Sequence, residues 1–252
     1  MYSILEHYLS TNHILMIGMI VTFILTFFLL EHPFSFLPSD QGRAFAVNGS
    51  LSKGKLRGVG FIFVLCFLIS SVLFLPLDVE YVIYGILLFA MMISGYLDDA
   101  SKTPWNEYKK GLIDLVISVV AVLTYMNFNS TTICFGADEI VIPKALFLIL
   151  GVILIWVSVN VTNCTDGVDG LCASLCSVTL LAFGVLFAPI LQKYAMANFL
   201  FLSVLFAYLY FNSSPSSMLM GDAGSRALGF YIAVIALKST HPFIYLLLAA
   251  VM

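Results

Sequence analysis

Residues 144–190 read KALFLILGVILIWVSVNVTNCTDGVDGLCASLCSVTLLAFGVLFAPI. Two apolar runs, 145–161 and 171–190, flank a polar turn that carries Asp166 and Asp169. Each run is close to the ~20 mainly apolar residues that a helix needs to cross a hydrocarbon core. Working outward, similar runs occupy 13–31, 59–76, 79–96, 112–126, 195–211 and 227–238, the 112–126 and 227–238 runs being short, and another starts near 242. The composition agrees: 61% of the 252 residues are hydrophobic and 10% charged, with a mean hydropathy of +1.05. Soluble domains carry about 25% charged residues, and a soluble fold of this size has no place for so much apolar surface. The expected fold class is therefore all-α: one polytopic transmembrane helical bundle over 1–252, with about eight spans and a truncated ninth.

The loops alternate between two faces. Arg43, Lys53, Lys55, Arg57, Lys102, Lys109, Lys110 and Arg226 fall on one, and only Lys144, Lys193 and Lys238 on the other. Basic residues favour the cytoplasmic side, which makes the first face cytoplasmic and puts the N-terminus outside. No basic stretch precedes the first run and no small-x-small site follows it, so it reads as a retained span. On the outer face, TTICF and EIVI flank GAD over 131–142, which predicts a small hairpin, an irregular loop being the alternative. The five cysteines form no evident disulfide framework, and the net charge of −3 gives no reason to expect nucleic acid.

The acidic groups of interest lie at helix ends on the basic face. Asp98 and Asp99 close one span in GYLDDASK, Asp166 and Asp169 lie in NVTNCTDGVDGL, and Asp222 lies in MLMGDAGS. Carboxylates near a bilayer are costly unless they face water, a partner or a metal. Clustered oxygen ligands suit Mg²⁺, which takes one or two carboxylates and leaves the rest to phosphates and water. Lys102, Lys109, Lys110, Lys53, Lys55 and Arg57 bring positive charge to the same face. Together these groups are equipment for phosphoryl transfer, where positioning and charge neutralisation carry most of the catalysis. Taken singly, each has a plainer reading: Asp98-Asp99 as a solvated helix end, TDGVDG as a turn, Asp222 as a helix cap, Lys109-Lys110 as topology signals. Asp114, early in its span, is read as favouring the positive end of that helix and not as chemistry.

In combination the motifs resemble those of the polyprenyl-phosphate N-acetylhexosamine-1-phosphate transferases, glycosyltransferase family 4. LDDASK matches LDDxxK, NVTNCTDGVDGL matches NxxNxTDGxDGL, and FNSSPSSMLMGDAGSRALG matches FNxxPAxxFMGDxGSxxLG. The order and spacing hold from about residue 40 to 240. The resemblance implies transfer of an N-acetylamino-sugar 1-phosphate from a UDP-sugar to undecaprenyl phosphate, with Mg²⁺ as cofactor and UMP released, at the cytoplasmic face of a bacterial plasma membrane. TDG leans toward the peptidoglycan branch, whose group is phospho-N-acetylmuramoyl-pentapeptide. By motif, Asp222 is the expected Mg²⁺ ligand, assisted by Asn163. Asp98, Asp99, Asp169 and Lys102 are the expected catalytic groups, Asp98 as base toward the lipid phosphate. Asn160, Asp166, Asn212 and Lys53 are expected to bind substrate.

Three departures qualify the match. The family's early loop KGTPTMGG reads KGKLRGVG over Lys53–Gly60, so Lys55 and Arg57 replace two hydroxyls. The aromatic expected before MGD is Leu219. The family continues into further spans and a histidine-rich loop, whereas the run from 242 has about 11 residues and reaches ~16 Å as a helix, which suggests a truncated chain. Two alternatives stay open: the same chemistry on UDP-N-acetylglucosamine for teichoic acid or other surface polymers, and a non-catalytic nucleotide- or lipid-binding remnant. A transporter fits less well, because its ionisable groups would lie at mid-membrane. The sequence leaves the oligomeric state open, a homodimer included.

Overall fold

The structure is a computed structural model that describes residues 1–32, 34–40, 42, 52–101, 103, 105–135 and 138–249. Its helices are α1 (Tyr2–Leu5), α2 (Thr11–Glu31), α3 (Gly60–Phe74), α4 (Val79–Asp99), α5 (Glu107–Phe128), α6 (Lys144–Thr165), α7 (Leu171–Leu186), α8 (Ala188–Leu191), α9 (Lys193–Asn212), α10 (Gly221–Lys238) and α11 (Pro242–Ala249). Every expected span coincides with a helix. Five of them, α2, α4, α5, α6 and α9, are long and apolar enough to cross a membrane, and α3 and α7 are shorter apolar helices. The chain is a polytopic membrane helical bundle.

Helix boundaries follow local chemistry. Asp78 accepts from the Tyr81 N–H to open α4, and Asn106 accepts from the Lys109 N–H to open α5; such caps satisfy donors that a helix start leaves unmet. The Asn106 cap carries α5 back to Glu107, several residues before the apolar run at 112. Helix α10 also starts ahead of its apolar run at 227, at Gly221, without a side-chain cap. The run at 171–190 is broken, because α7 ends at Leu186 and a separate short turn follows around Pro189.

The bundle is built around α10. Residues Gly221–Leu237 are all buried, and α10 packs against α3, α4, α6 and α7. Its polar first turn therefore faces protein and not lipid, which explains how so short an apolar run sits among membrane helices. Glycines permit the close packing. A Cβ on Gly60 of α3 would lie 2.1 Å from the Gly224 nitrogen, one on Gly95 of α4 would lie 2.3 Å from the Asp222 carbonyl oxygen, and one on Gly229 would lie 2.7 Å from the Ser158 oxygen of α6.

The two ends of the bundle differ. At one end, β1 (Thr132–Phe135) and β2 (Asp138–Val141) form the expected hairpin, paired antiparallel from Thr132↔Val141 to Phe135↔Asp138. Near it, Lys238 pairs with Glu80 and donates to Asn129, and Lys193 pairs with Asp78. This network ties together the ends of α4, α5, α9 and α10. The opposite end carries the acidic motifs.

Candidate functional site

Four helix ends, of α4, α5, α6 and α10, and the loop that carries Arg57 build the site. Helix α4 ends on Asp98 and Asp99, and consecutive helical residues point about 100° apart, so the two carboxylates part company. Asp98 turns toward α5: Lys110 Nζ lies 2.6 Å from its Oδ2, and the Trp105 N–H donates to its Oδ1 at 2.7 Å. Asp99, with no side-chain exposure, turns toward α10, where its Oδ2 accepts from the Ala223 N–H at 3.0 Å. That contact requires Gly221, which has φ +65° and would place a Cβ 2.3 Å from the Asp99 carboxylate. Only glycine meets both conditions.

Asp222 is the hub. Its Oδ2 takes Lys110 Nζ at 3.1 Å and its Oδ1 takes Arg57 Nη2 at 3.4 Å. Arg57 Nε also reaches Asp99 at 2.8 Å, and its Nη1 reaches Asp40 at 3.4 Å. Two cations thus hold three motif carboxylates together, Lys110 joining Asp98 to Asp222 and Arg57 joining Asp99 to Asp222. Burial works against the Arg57 charge, but Asp99, Asp222 and Asp40 outweigh it and raise its pKa above the ordinary arginine value. Asn163 lies beside Asp222 and donates to Ser225 Oγ at 2.9 Å.

The loop that carries Arg57 is docked by its backbone. Leu56 bridges Ser39 on one side and Met218 on the other. The Arg57 N–H donates to Pro38, and the Val59 and Gly60 N–H groups donate to Leu219 and Met220. This pairing holds the side chain over the start of α10.

The remaining motif residues form a second junction. Asp169 accepts from the Ser216 N–H at 2.9 Å and from its hydroxyl at 2.7 Å, and Lys55 lies 3.8 Å away. Partial burial opposes its charge, but the Ser216 hydrogen bonds and Lys55 hold its pKa below the ordinary carboxylate value. Buried Asn212 accepts from the Gly170 N–H and donates to the Met218 carbonyl. Asp169 and Asn212 therefore clamp the TDGVDG turn onto the loop that leads into Asp222.

The pattern that defines glycosyl transferase family 4 matches residues 81–240, a stretch that runs from the start of α4 to the end of α10. The chain belongs to that family. The phospho-N-acetylmuramoyl-pentapeptide-transferase of Treponema pallidum (strain Nichols) is 35% identical over 93% of this chain and 71% of its own length. The proteins of that name from Wolinella succinogenes and Halalkalibacterium halodurans are 30% and 28% identical, over 82% and 95% of this chain and 66% and 79% of their own lengths. The chain is thus a membrane glycosyltransferase related to enzymes of peptidoglycan synthesis.

Measured against the sequence expectations, the transferase brings Asp98, Asp99, Asp222 and Asn163 together. The contacts of Asp169 run to Ser216 and Lys55 instead of to that cluster, and Asn212 makes loop contacts. Asn160 is exposed on α6 and donates to its own helix at Trp156, Asp166 caps α6, and Lys53 is exposed. Lys102 lies outside the described residues. Lys110, one of the cations expected on this face, joins the cluster itself, and Asp114, expected only to favour its own helix end, pairs with Arg226 inside the bundle. Asp40 lies in no motif and, among the described residues, is joined to the cluster only through Arg57. Arg57 had left a signal, as a cation standing where the family pattern has a hydroxyl.

Proposed function

We propose that the transferase moves phospho-N-acetylmuramoyl-pentapeptide from its UDP conjugate to undecaprenyl phosphate, releasing UMP at the cytoplasmic face. The observation that carries this reading is the convergence of Asp98, Asp99 and Asp222, from two separate motifs, on Lys110 and Arg57 at one end of the bundle. The basic residues gathered at that end support the cytoplasmic assignment. The names of the relatives support the sugar.

The donor set fits Mg²⁺. Asp222 with Asp98 and the Asn163 amide offers hard oxygen donors. A site with one or two carboxylates, completed by substrate phosphates and water, is the usual magnesium arrangement. Asp222 with Asn163 would hold the ion, which would supply charge neutralisation for the pyrophosphate.

In the reaction, a lipid phosphate oxygen forms a bond to the β-phosphorus. The bond from that phosphorus to the bridging oxygen breaks, and the electron pair leaves with UMP. No net proton is needed when the lipid phosphate enters fully ionised; when it enters as the monoanion, Asp98 takes the proton. Lys110 and Arg57 lie between the carboxylates, where they offset phosphate charge that would otherwise be repelled. Asp99 acts through the backbone, fixing the first turn of α10 and with it Asp222.

The test is UMP release by the purified chain with undecaprenyl phosphate and Mg²⁺, given UDP-N-acetylmuramoyl-pentapeptide or UDP-N-acetylglucosamine in separate reactions. Release with the first supports the proposal. Release with only the second reassigns the sugar, a reading favoured by Lys55 and Arg57 in the early loop. No release with either refutes activity for this chain and supports a binding remnant. Asp222→Asn is expected to reduce Mg²⁺-dependent release by about 10²–10³-fold at unchanged expression. Near-normal turnover would remove Asp222 from the metal site.

A further inference from the structure

A cavity of about 200 Å³ lies between α5, α6 and α10, with Lys110, Asp114, Trp156, Asn160, Asn163 and Arg226 on its walls and Glu107 as a second carboxylate. Arg226 is 2% exposed. One of its terminal nitrogens, Nη2, is paired with Asp114. Its Nε and Nη1 meet no acceptor among the described residues. A guanidinium carries five N–H donors in a rigid fork suited to phosphate, and charged donors left buried and unmet are costly. One water occupies about 30 Å³ in the liquid, so the space exceeds what a single bridging water fills.

The position of the cavity selects the ligand. Lys110 and Asn163 border it and also face Asp222, so its contents lie one side chain from the acidic cluster. Its walls come from α5 and α6, whose outward positions Leu112, Val116, Ile149 and Ile153 are exposed and apolar and face acyl chains in a membrane. Trp156 spans the two helices, donating to the Gly111 carbonyl at 3.3 Å. A phosphate arriving here on an apolar tail stays in the bilayer, whereas a nucleotide arrives from the aqueous loops.

We infer that the Arg226 cavity seats the phosphate of the lipid acceptor, with Nε and Nη1 donating to its oxygens and Asp114 fixing the guanidinium plane. The identity of that lipid as acceptor rests on the transfer reaction proposed above; its chemistry, a phosphate monoester on an apolar chain, rests on the cavity. Arg226 is then a specificity-determining residue for the acceptor and takes no part in nucleotide binding.

The experiment measures binding of farnesyl phosphate, farnesol and UMP to the full chain in detergent by calorimetry. Truncating Arg226 alone would strand Asp114 and risk the fold, so two other variants are used. Arg226→Lys keeps the charge opposite Asp114 and removes the fork. The double variant Asp114→Leu/Arg226→Met replaces the buried pair by apolar groups of similar size, an exchange that folds tolerate well. Wild type is expected to prefer farnesyl phosphate to farnesol. Arg226→Lys is expected to weaken farnesyl phosphate about tenfold with UMP unchanged, and the double variant to lose the preference for phosphate over alcohol. Unchanged farnesyl phosphate affinity in a folded Arg226→Lys would overturn the inference and leave the cavity to water. Loss of UMP with farnesyl phosphate retained would overturn it too, by assigning the oxyanion to the nucleotide. Binding that depends on Arg226 in a chain that never releases UMP would uphold the cavity while refuting the transfer reaction.

Discussion

Gly95→Ala tests whether the backbone contact between α4 and α10 sets the geometry of the proposed catalytic cluster. A Cβ at this position would lie 2.3 Å from the Asp222 carbonyl oxygen, 2.4 Å from its carbonyl carbon and 2.6 Å from the Ala223 nitrogen. Ordinary contact begins at 3.4 Å, so the helices must separate by about 1 Å, and backbone atoms offer no rotamer by which to escape. The Ala223 N–H is also the donor to Asp99, so the same shift moves Asp222, Asp99 and their shared Arg57. A displacement of about 1 Å in reacting groups costs roughly 10²-fold in rate. The stability cost of overpacking, about 1–3 kcal/mol, is offset by the ~1 kcal/mol gained when alanine replaces a helical glycine. We predict a folded protein with UMP release reduced about a hundredfold. Initial rates and thermal unfolding of the detergent-solubilised chain measure both quantities. Gly85→Ala is the control on the same helix, because its Cβ would meet only Leu68 at 3.8 Å, and it should turn over normally. Normal rates in Gly95→Ala, or equal damage in Gly85→Ala, would refute the reasoning.

Arg57→Ala removes the cation shared by Asp40, Asp99 and Asp222, and Arg57→Lys keeps a charge that cannot span three carboxylates. UMP release should fall in the order wild type, Lys, Ala, and a lysine variant with full activity would show that charge alone suffices. Because the Asp169 pKa is depressed, the stability from the Asp169–Ser216 clamp is present above the unfolded value near about 3.9 and is lost as pH falls through the lower folded value. The protection of backbone amides in 166–170 and 213–218, that is, exchange corrected for its intrinsic pH dependence, should thus be flat from neutral pH down to about 5 and fall in more acid solution, and Asp169→Asn should show lowered protection throughout; a pH response centred near neutrality would contradict the assignment. At the far end, Glu80→Ala strands Lys238, which is mostly buried, and should destabilise the bundle by about 3–5 kcal/mol without altering the KM for the UDP-sugar. A shift in that KM would show that this network reaches the site.

The sequence by itself determined the class of molecule, the approximate spans and the family. Apolar runs near 20 residues admit few solutions in a bilayer, since each backbone polar group must be paired within its own helix. The motifs around Asp98, Asp222 and Asn163 were legible because they combine costly carboxylates with helix ends on the basic face. Tertiary structure decided which of these groups meet. Asp98 and Asp99 are neighbours in the chain yet face different cations, because a helix turns about 100° per residue. Asp169 matches a motif as well as Asp222 does, but its oxygens are taken up by Ser216. Arg57 joins the site because its loop docks against Pro38 and Leu219, partners that are respectively 19 and 162 residues away along the chain. The Asp114–Arg226 pair had no local signal at all. It exists because glycines let α10 sink into the centre of the bundle, where a charge is tolerated only beside an opposite one.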